Sequence, residues 1–186
     1  MTDKNTLRSQ IKNTDISDRA YKDAVINCIL YESDIYQYAD ELFLFCGIGH
    51  EPDLKPIALN ALMDGKKVAY PVSINKTEMI FRYITDFEND FATGAFGIKE
   101  PEEGLEEAGF RDAADRIIIC PGMAFDHEGR RLGRGNGYYD RFLGEYGTYF
   151  SSVTGVCYSE FILPEIPSDE HDITMDYILT EQEWIK

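Results

Sequence analysis

Residues 41 to 71 constrain the fold more than any other stretch. Glu41-Leu42-Phe43-Leu44-Phe45-Cys46 is a short apolar run ended by Gly47, the pattern of a buried strand. Asp53 to Met63 follows, with Leu54, Ile57, Ala58, Ala61 and Leu62 at helical spacing, and closes on the C-cap Asp64-Gly65. Lys66 to Pro71 then reads as a second strand. A strand–helix–strand crossover of this length predicts parallel pairing and a right-handed connection. The loop Gly47-Ile48-Gly49-His50-Glu51-Pro52 leaves the C-terminal end of the first strand, where open α/β sheets place ligand contacts. Glu51 is therefore a candidate functional residue.

The rest of the chain continues this alternation. A helix is expected over residues 3 to 13, capped by Thr2 or Asp3, with Leu7 and Ile11 on one face and Lys4 and Arg8 as a cationic stripe. A second, from about Ser17 to Tyr31, is capped by Asp15 or Ser17; its stripe Tyr21, Ala24, Val25, Cys28 and Ile29 predicts a core face. Met79 to Ile84 alternates as a strand, and Asp86 to Gly94 reads as helical or irregular. Ala114 to Cys120, Ser151 to Tyr158 and Tyr177 to Thr180 read as strands, and Tyr138 to Tyr146 as a helix. This order predicts one domain over residues 1–186, a three-layer α/β/α arrangement around a largely parallel or mixed central sheet.

Thirty-four acidic residues against eighteen cationic ones give a formal net charge of −16, which argues against a nucleic-acid partner. No apolar run approaches a membrane span and the N-terminus lacks a signal-like segment, so a cytoplasmic protein without a membrane partner is expected. Cys28, Cys46, Cys120 and Cys157 are far apart and read as reduced, buried side chains. His50, His127 and His171 show no metal-ligand spacing.

Against this acidic background Arg130 to Leu143, RRLGRGNGYYDRFL, stands out. Gly133, Gly135 and Gly137 alternate, four arginines (Arg130, Arg131, Arg134, Arg141) surround them, and Tyr138-Tyr139-Asp140 open the next helix. Glycines bring backbone N–H groups close to an anion, the helix N-terminus adds its dipole, and guanidiniums make bidentate phosphate contacts. Asp140 beside such a loop is a natural Mg2+ ligand. The spacing is neither a P-loop nor a dinucleotide fingerprint.

Pro121-Gly122-Met123-Ala124-Phe125-Asp126 followed by Arg131-Leu132-Gly133-Arg134-Gly135-Asn136-Gly137-Tyr138-Tyr139-Asp140-Arg141 resembles the signature of the 5-formyltetrahydrofolate cyclo-ligase family, with Asn136 at a variable position. The resemblance extends over essentially the whole chain. It includes Lys4, Leu7 and Arg8, then Glu51, Asp64-Gly65-Lys66-Lys67-Val68 to Pro71, Phe96-Gly97-Ile98-Lys99-Glu100-Pro101, and His171-Asp172 to Glu181.

The resemblance implies an ATP- and Mg2+-dependent ligase that cyclises 5-formyltetrahydrofolate to 5,10-methenyltetrahydrofolate, releasing ADP and phosphate. It implies ATP contacts from Lys4, Arg8, Arg131, Leu132, Gly133, Arg134, Gly135, Asn136, Gly137, Tyr138 and Tyr139. Folate contacts would come from Glu51, Arg134, Gly135, Asn136, Gly137 and Tyr138, with Arg134 and Tyr138 as catalytic residues and Asp140 and Asp172 holding Mg2+. The enzyme is expected to be a monomer acting on a folate that can carry a polyglutamate tail; Arg130 and Arg141 are left as surface charges.

Two other readings remain. A sugar-phosphate or acyl-group enzyme would place a general base such as His127 near the loop without needing ATP. A non-catalytic nucleotide or folate binder would keep the arginines without needing the carboxylates.

Overall fold

The computed structural model describes residues 3–94, 97–110 and 113–186. Thr2, one of the two proposed caps, and Phe96 lie outside the described residues. Among the described residues there are five α-helices and twelve strands, and the expected strand–helix alternation does not hold throughout: three helices come first, and seven strands run in succession between the fourth and fifth helices. The main sheet has seven strands in the order β12-β11-β9-β6-β1-β2-β3. Its five inner strands are β1 (Glu41–Phe43), β2 (Lys67–Ser73), β6 (Arg116–Pro121), β9 (Ser152–Val156) and β11 (Tyr177–Leu179), and they pair in parallel. Antiparallel β3 (Met79–Ile84) and β12 (Trp184–Ile185) close the edges. The expected crossover β1–α4–β2 forms, with α4 at Lys55–Met63. Strand order reverses between β1 and β6, because the chain runs from β1 towards β2 and from β6 towards β9. A crevice at the strands' C-terminal ends opens at such a point.

Phe43 of β1 shows how one face is packed. Its ring meets Phe81 of β3 at 5.0 Å and Phe150 edge-on at 4.9 Å, while Phe81 meets Phe142 of α5 (Tyr138–Tyr146) at 4.9 Å. Such aromatic pairs add to area burial through their quadrupoles. Buried beneath this cluster, Arg116 donates to Glu41 at 2.9 Å and the Tyr83 hydroxyl donates to the same carboxylate at 2.7 Å.

Several expectations need correction. Helix α1 (Lys4–Ile11) is capped by Asp3, whose carboxylate accepts from the Asn5 and Thr6 N–H groups. Helix α2 starts two residues late, at Arg19, because Asp18 adopts a left-handed φ of 52° that a right-handed helix cannot continue. Its buried residues are Ile26, Asn27 and Leu30, whereas Tyr21 is 70% exposed and Cys28 is exposed. The displaced face follows from Asn27. Its amide donates to the Asp23 and Asp53 carbonyls at 2.7 and 2.8 Å and its oxygen accepts from Ile57 N–H at 2.9 Å. A polar side chain thus sits in the core and satisfies a donor in the first turn of α4.

Residues 86–94 are not helical throughout. Phe91–Thr93 forms β4, paired antiparallel with β5 (Lys99–Pro101), because Phe91 packs on Tyr70 and Phe87 at 5.0 Å each. The stretch before the glycine loop also folds into a hairpin of β7 (Ala124–Asp126) and β8 (Arg131–Leu132). Asp126, fully buried, closes that turn by accepting from Glu128 and Arg130 N–H at 3.0 Å and from Ile166 N–H at 2.8 Å.

Candidate active site

A cavity of about 610 Å³ opens where β1, β2 and β6 end. Its floor is made by residues at those strand ends, including Cys46, Pro71 and Pro121, and α1 and the glycine loop wall it. Lys4, Arg8, Glu51, Arg131, Gly133 to Asp140 and Asp172 all line it. Leu132 does not: its side chain is fully buried in the core and its carbonyl accepts from Met123 N–H.

The loop after β1 is shaped by its backbone. A Cβ on Gly47 would lie 2.6 Å from the Pro52 carbonyl oxygen, so only glycine fits there. This folds Glu51 back under its own loop, where it is 4% exposed and accepts from Ile48 N–H at 2.8 Å. Arg134 reaches across to Glu51, Nε to Oε1 at 3.0 Å, and also donates to the Ile48 carbonyl at 2.6 Å. Burial pushes the Glu51 carboxyl above the ordinary glutamate value, and the Arg134 charge only partly offsets this.

Arg131 donates to Asp140 at 2.8 Å and lies over the Tyr139 ring. Arg8 donates through Nε to the Gly133 carbonyl at 2.8 Å, joining α1 to the loop. Lys4 pairs with Asp172, which also accepts from Asp169 N–H at 2.8 Å. The Asp172 carboxyl is partly desolvated, yet the Lys4 and backbone hydrogen bonds hold it below the usual aspartate range. Ile173 N–H donates to Asp140 at 3.4 Å, so the peptide following Asp172 touches the other carboxylate.

Gly137, at a φ of 66°, turns the loop into α5, whose N-terminus carries no side-chain cap. Tyr138 and Tyr139 then diverge. The Tyr138 hydroxyl donates to the Asn75 carbonyl at 2.6 Å. Tyr139 borders the cavity with a buried hydroxyl that has no hydrogen-bond partner among the described residues. Burial raises its pKa well above the ordinary value, so it stays protonated as a donor.

Arg130 and Arg141, set aside as surface charges, brace the loop. Arg141 donates to the Thr77 and Asn136 carbonyls at 2.7 Å each, and Arg130 faces Asp126 at 3.4 Å. His127 is exposed and does not line the cavity. Sequence reasoning named the Phe96–Pro101 motif without giving it a place in the site; Ile98, Lys99 and Glu100 line the cavity, and Glu100 accepts from Ser73 N–H at 3.2 Å.

Residues 1–181 match the model of the 5-formyltetrahydrofolate cyclo-ligase family. The chain is 25% identical to the 5-formyltetrahydrofolate cyclo-ligase of Mus musculus, covering 94% of this chain and 90% of the relative. It is 31% identical to the enzyme of that name from Mycolicibacterium smegmatis, covering 74% and 72%. The solved structure of Aquifex aeolicus 5,10-methenyltetrahydrofolate synthetase superposes with a TM-score of 0.82 at 31% identity, covering 98% of this chain and 92% of that one.

Proposed function

The chain belongs to the 5-formyltetrahydrofolate cyclo-ligase family, and from that premise we propose how its cavity divides between two substrates. Its activity is that family's: a ligase that closes 5-formyltetrahydrofolate to 5,10-methenyltetrahydrofolate. The formamide carbon is a poor electrophile because the N5 lone pair delocalises into the carbonyl. Transfer of the ATP γ-phosphoryl group to the formyl oxygen makes that oxygen a leaving group. N10 then attacks the carbon, phosphate departs with the oxygen, and N10 gives up its proton. Such chemistry needs positioning and charge neutralisation more than a protein nucleophile.

The single observation carrying the division is the Arg134–Glu51 pair, which ties the phosphate-type loop to a carboxylate from a different strand end. On the ATP side, Lys4, Arg8, Arg131 and the N–H groups from Gly133 to Tyr139 surround the polyphosphate, with the uncapped N-terminus of α5 behind it. On the folate side, Glu51 accepts hydrogen bonds from the pterin ring, Tyr138 borders the substrate, and Arg134 stands between the two and stabilises charge on the transferring group. Leu132 serves the ATP side only through the backbone it supports.

Asp140 and Asp172 fit magnesium carried in with the nucleotide, since such an ion takes one or two protein carboxylates and keeps phosphate and water oxygens. Among the described residues no cluster of three or more acidic, Cys or His side chains would hold an ion alone. Bound there, Mg2+ would neutralise phosphate charge; Arg131 and Lys4, paired with the two carboxylates, hold them in place.

We further propose that residues 1–186 act as one domain, as a cytoplasmic monomer that accepts polyglutamylated folate. None of the described helices is long and apolar enough to cross a membrane. Calorimetric titration tests the division of the cavity. Lys4→Ala and Arg8→Ala should weaken MgATP binding while sparing the folate, and Glu51→Gln should do the reverse. Equal weakening of both ligands by all three variants would contradict it.

A further inference from the structure

The loop that presents Glu51 is held from outside by a helix the reaction does not use. Arg19, the first residue of α2, donates through Nη1 to the Gly49 carbonyl at 2.6 Å and through Nη2 to the Glu51 carbonyl at 2.8 Å. Its Nε donates to the Tyr158 hydroxyl at 3.1 Å, and that hydroxyl donates to Asp23 at 2.6 Å. Asp23, one turn along α2, accepts from Asp53 N–H at 3.0 Å with the same oxygen. The chain is therefore fixed at positions 49, 51 and 53 by two side chains of one helix turn. Tyr158, fully buried just beyond β9, locks those two together.

Within the loop Glu51 N–H donates to the Ile48 carbonyl at 3.3 Å, and Arg134 holds that same carbonyl, but neither contact fixes the Gly49 and Glu51 carbonyls. Residues 47–50 make no strand pairing, and among the described residues the Glu51 carboxylate reaches only Ile48 N–H and Arg134. A planar guanidinium that grips two carbonyls flanking His50 fixes both the position and the tilt of the Glu51 backbone. A displacement of about 1 Å in a group that orients a substrate is enough to lose much of its effect. We propose that Arg19, anchored by Tyr158 and Asp23, is a positioning residue that sets Glu51 for the folate; this rests on Glu51 being the folate contact.

The test is a kinetic cycle with both substrates varied. Arg19→Ala, at a half-exposed side chain, should keep the fold and raise the KM for 5-formyltetrahydrofolate about tenfold, the size of losing a charge-assisted hydrogen-bond pair. The KM for ATP should stay within about twofold, and Arg19→Lys, which can keep one carbonyl contact, should recover part of the loss. In a Glu51→Gln background Arg19→Ala should add almost nothing, because its target is already gone. Tyr158→Phe, which keeps the packed ring, should give a smaller shift of the same kind. Equal rises in both KM values, no rise in either, or an undiminished effect in the Glu51→Gln background would overturn the positioning role. An unchanged folate KM in Glu51→Gln alone would instead remove Glu51 from the folate site, and the role of Arg19 with it.

Discussion

Arg134 and Glu51 lie 83 positions apart and meet at 3.0 Å, Nε to Oε1, on the wall of the cavity. The carboxylate is buried and the guanidinium is half-exposed. Glu51 and the Ile48 carbonyl hold Nε and Nη2 of this arginine, which leaves Nη1, without a hydrogen-bond partner among the described residues, to face an incoming anion.

Replacing Arg134 should therefore harm both substrates' steps. Arg134→Ala removes charge stabilisation of the transferring phosphoryl group and leaves Glu51 buried without its partner. A fall in kcat of about 10²- to 10³-fold is expected, on the scale of losing one preorganised donor, with a rise in folate KM. Steady-state kinetics with each substrate varied checks this, and near-normal kcat would reduce Arg134 to a loop brace.

Glu51 should cost stability while serving the site. Its folded-state pKa is raised, chiefly by burial. Such a group contributes stability that is fully present below its unfolded value, about 4.5, and is lost as pH rises through the folded value. Glu51→Gln, which does not titrate, should melt above the wild type at neutral pH, and the gap should close as the pH falls below about 4.5. Melting curves over that range decide the point; a variant less stable at pH 7 would show that the Arg134 pair outweighs the burial penalty.

The proposed place of Asp140 beside magnesium is open to a direct test. Asp140→Asn should raise the magnesium concentration needed for half-maximal rate, with partial recovery in excess magnesium. It also weakens the bond to Arg131, so some loss should persist at saturation. A magnesium titration identical to wild type would take Asp140 out of the metal's surroundings.

Asn27 carries a prediction about the fold alone. Asn27→Leu, similar in size, deletes three hydrogen bonds and leaves Ile57 N–H buried without its acceptor. A loss of about 1–3 kcal/mol is expected, the cost of an unsatisfied buried donor, read from urea unfolding. A neutral outcome would mean the apolar side chain compensates fully.

What the sequence made legible follows from the range of each signal. The β1–α4–β2 crossover and the glycine loop are written in contiguous residues, so periodicity and residue type revealed them. The buried face of α2 was misread because Asn27 does core work through hydrogen bonds to Asp23, Asp53 and Ile57, which a hydrophobicity pattern counts as exposed polarity. Strand β4 was missed because Phe91 earns its place from Tyr70 and Phe87, contacts outside any local window. Arg19 gave no signal at all, since its partners at 49, 51 and 158 are backbone carbonyls and one hydroxyl brought together only by the sheet order. The family resemblance carried the rest of the site, and geometry then separated Leu132, which faces the core, from its loop neighbours.

The most direct measurement mixes the protein with 5-formyltetrahydrofolate and MgATP and follows the near-ultraviolet absorbance of the methenyl product alongside ADP release. The expected result is a rise in absorbance that requires ATP and magnesium, matched mole for mole by ADP. Absorbance that stays flat with both present, or product formed without ADP, would contradict a phosphorylated formyl intermediate in this cavity.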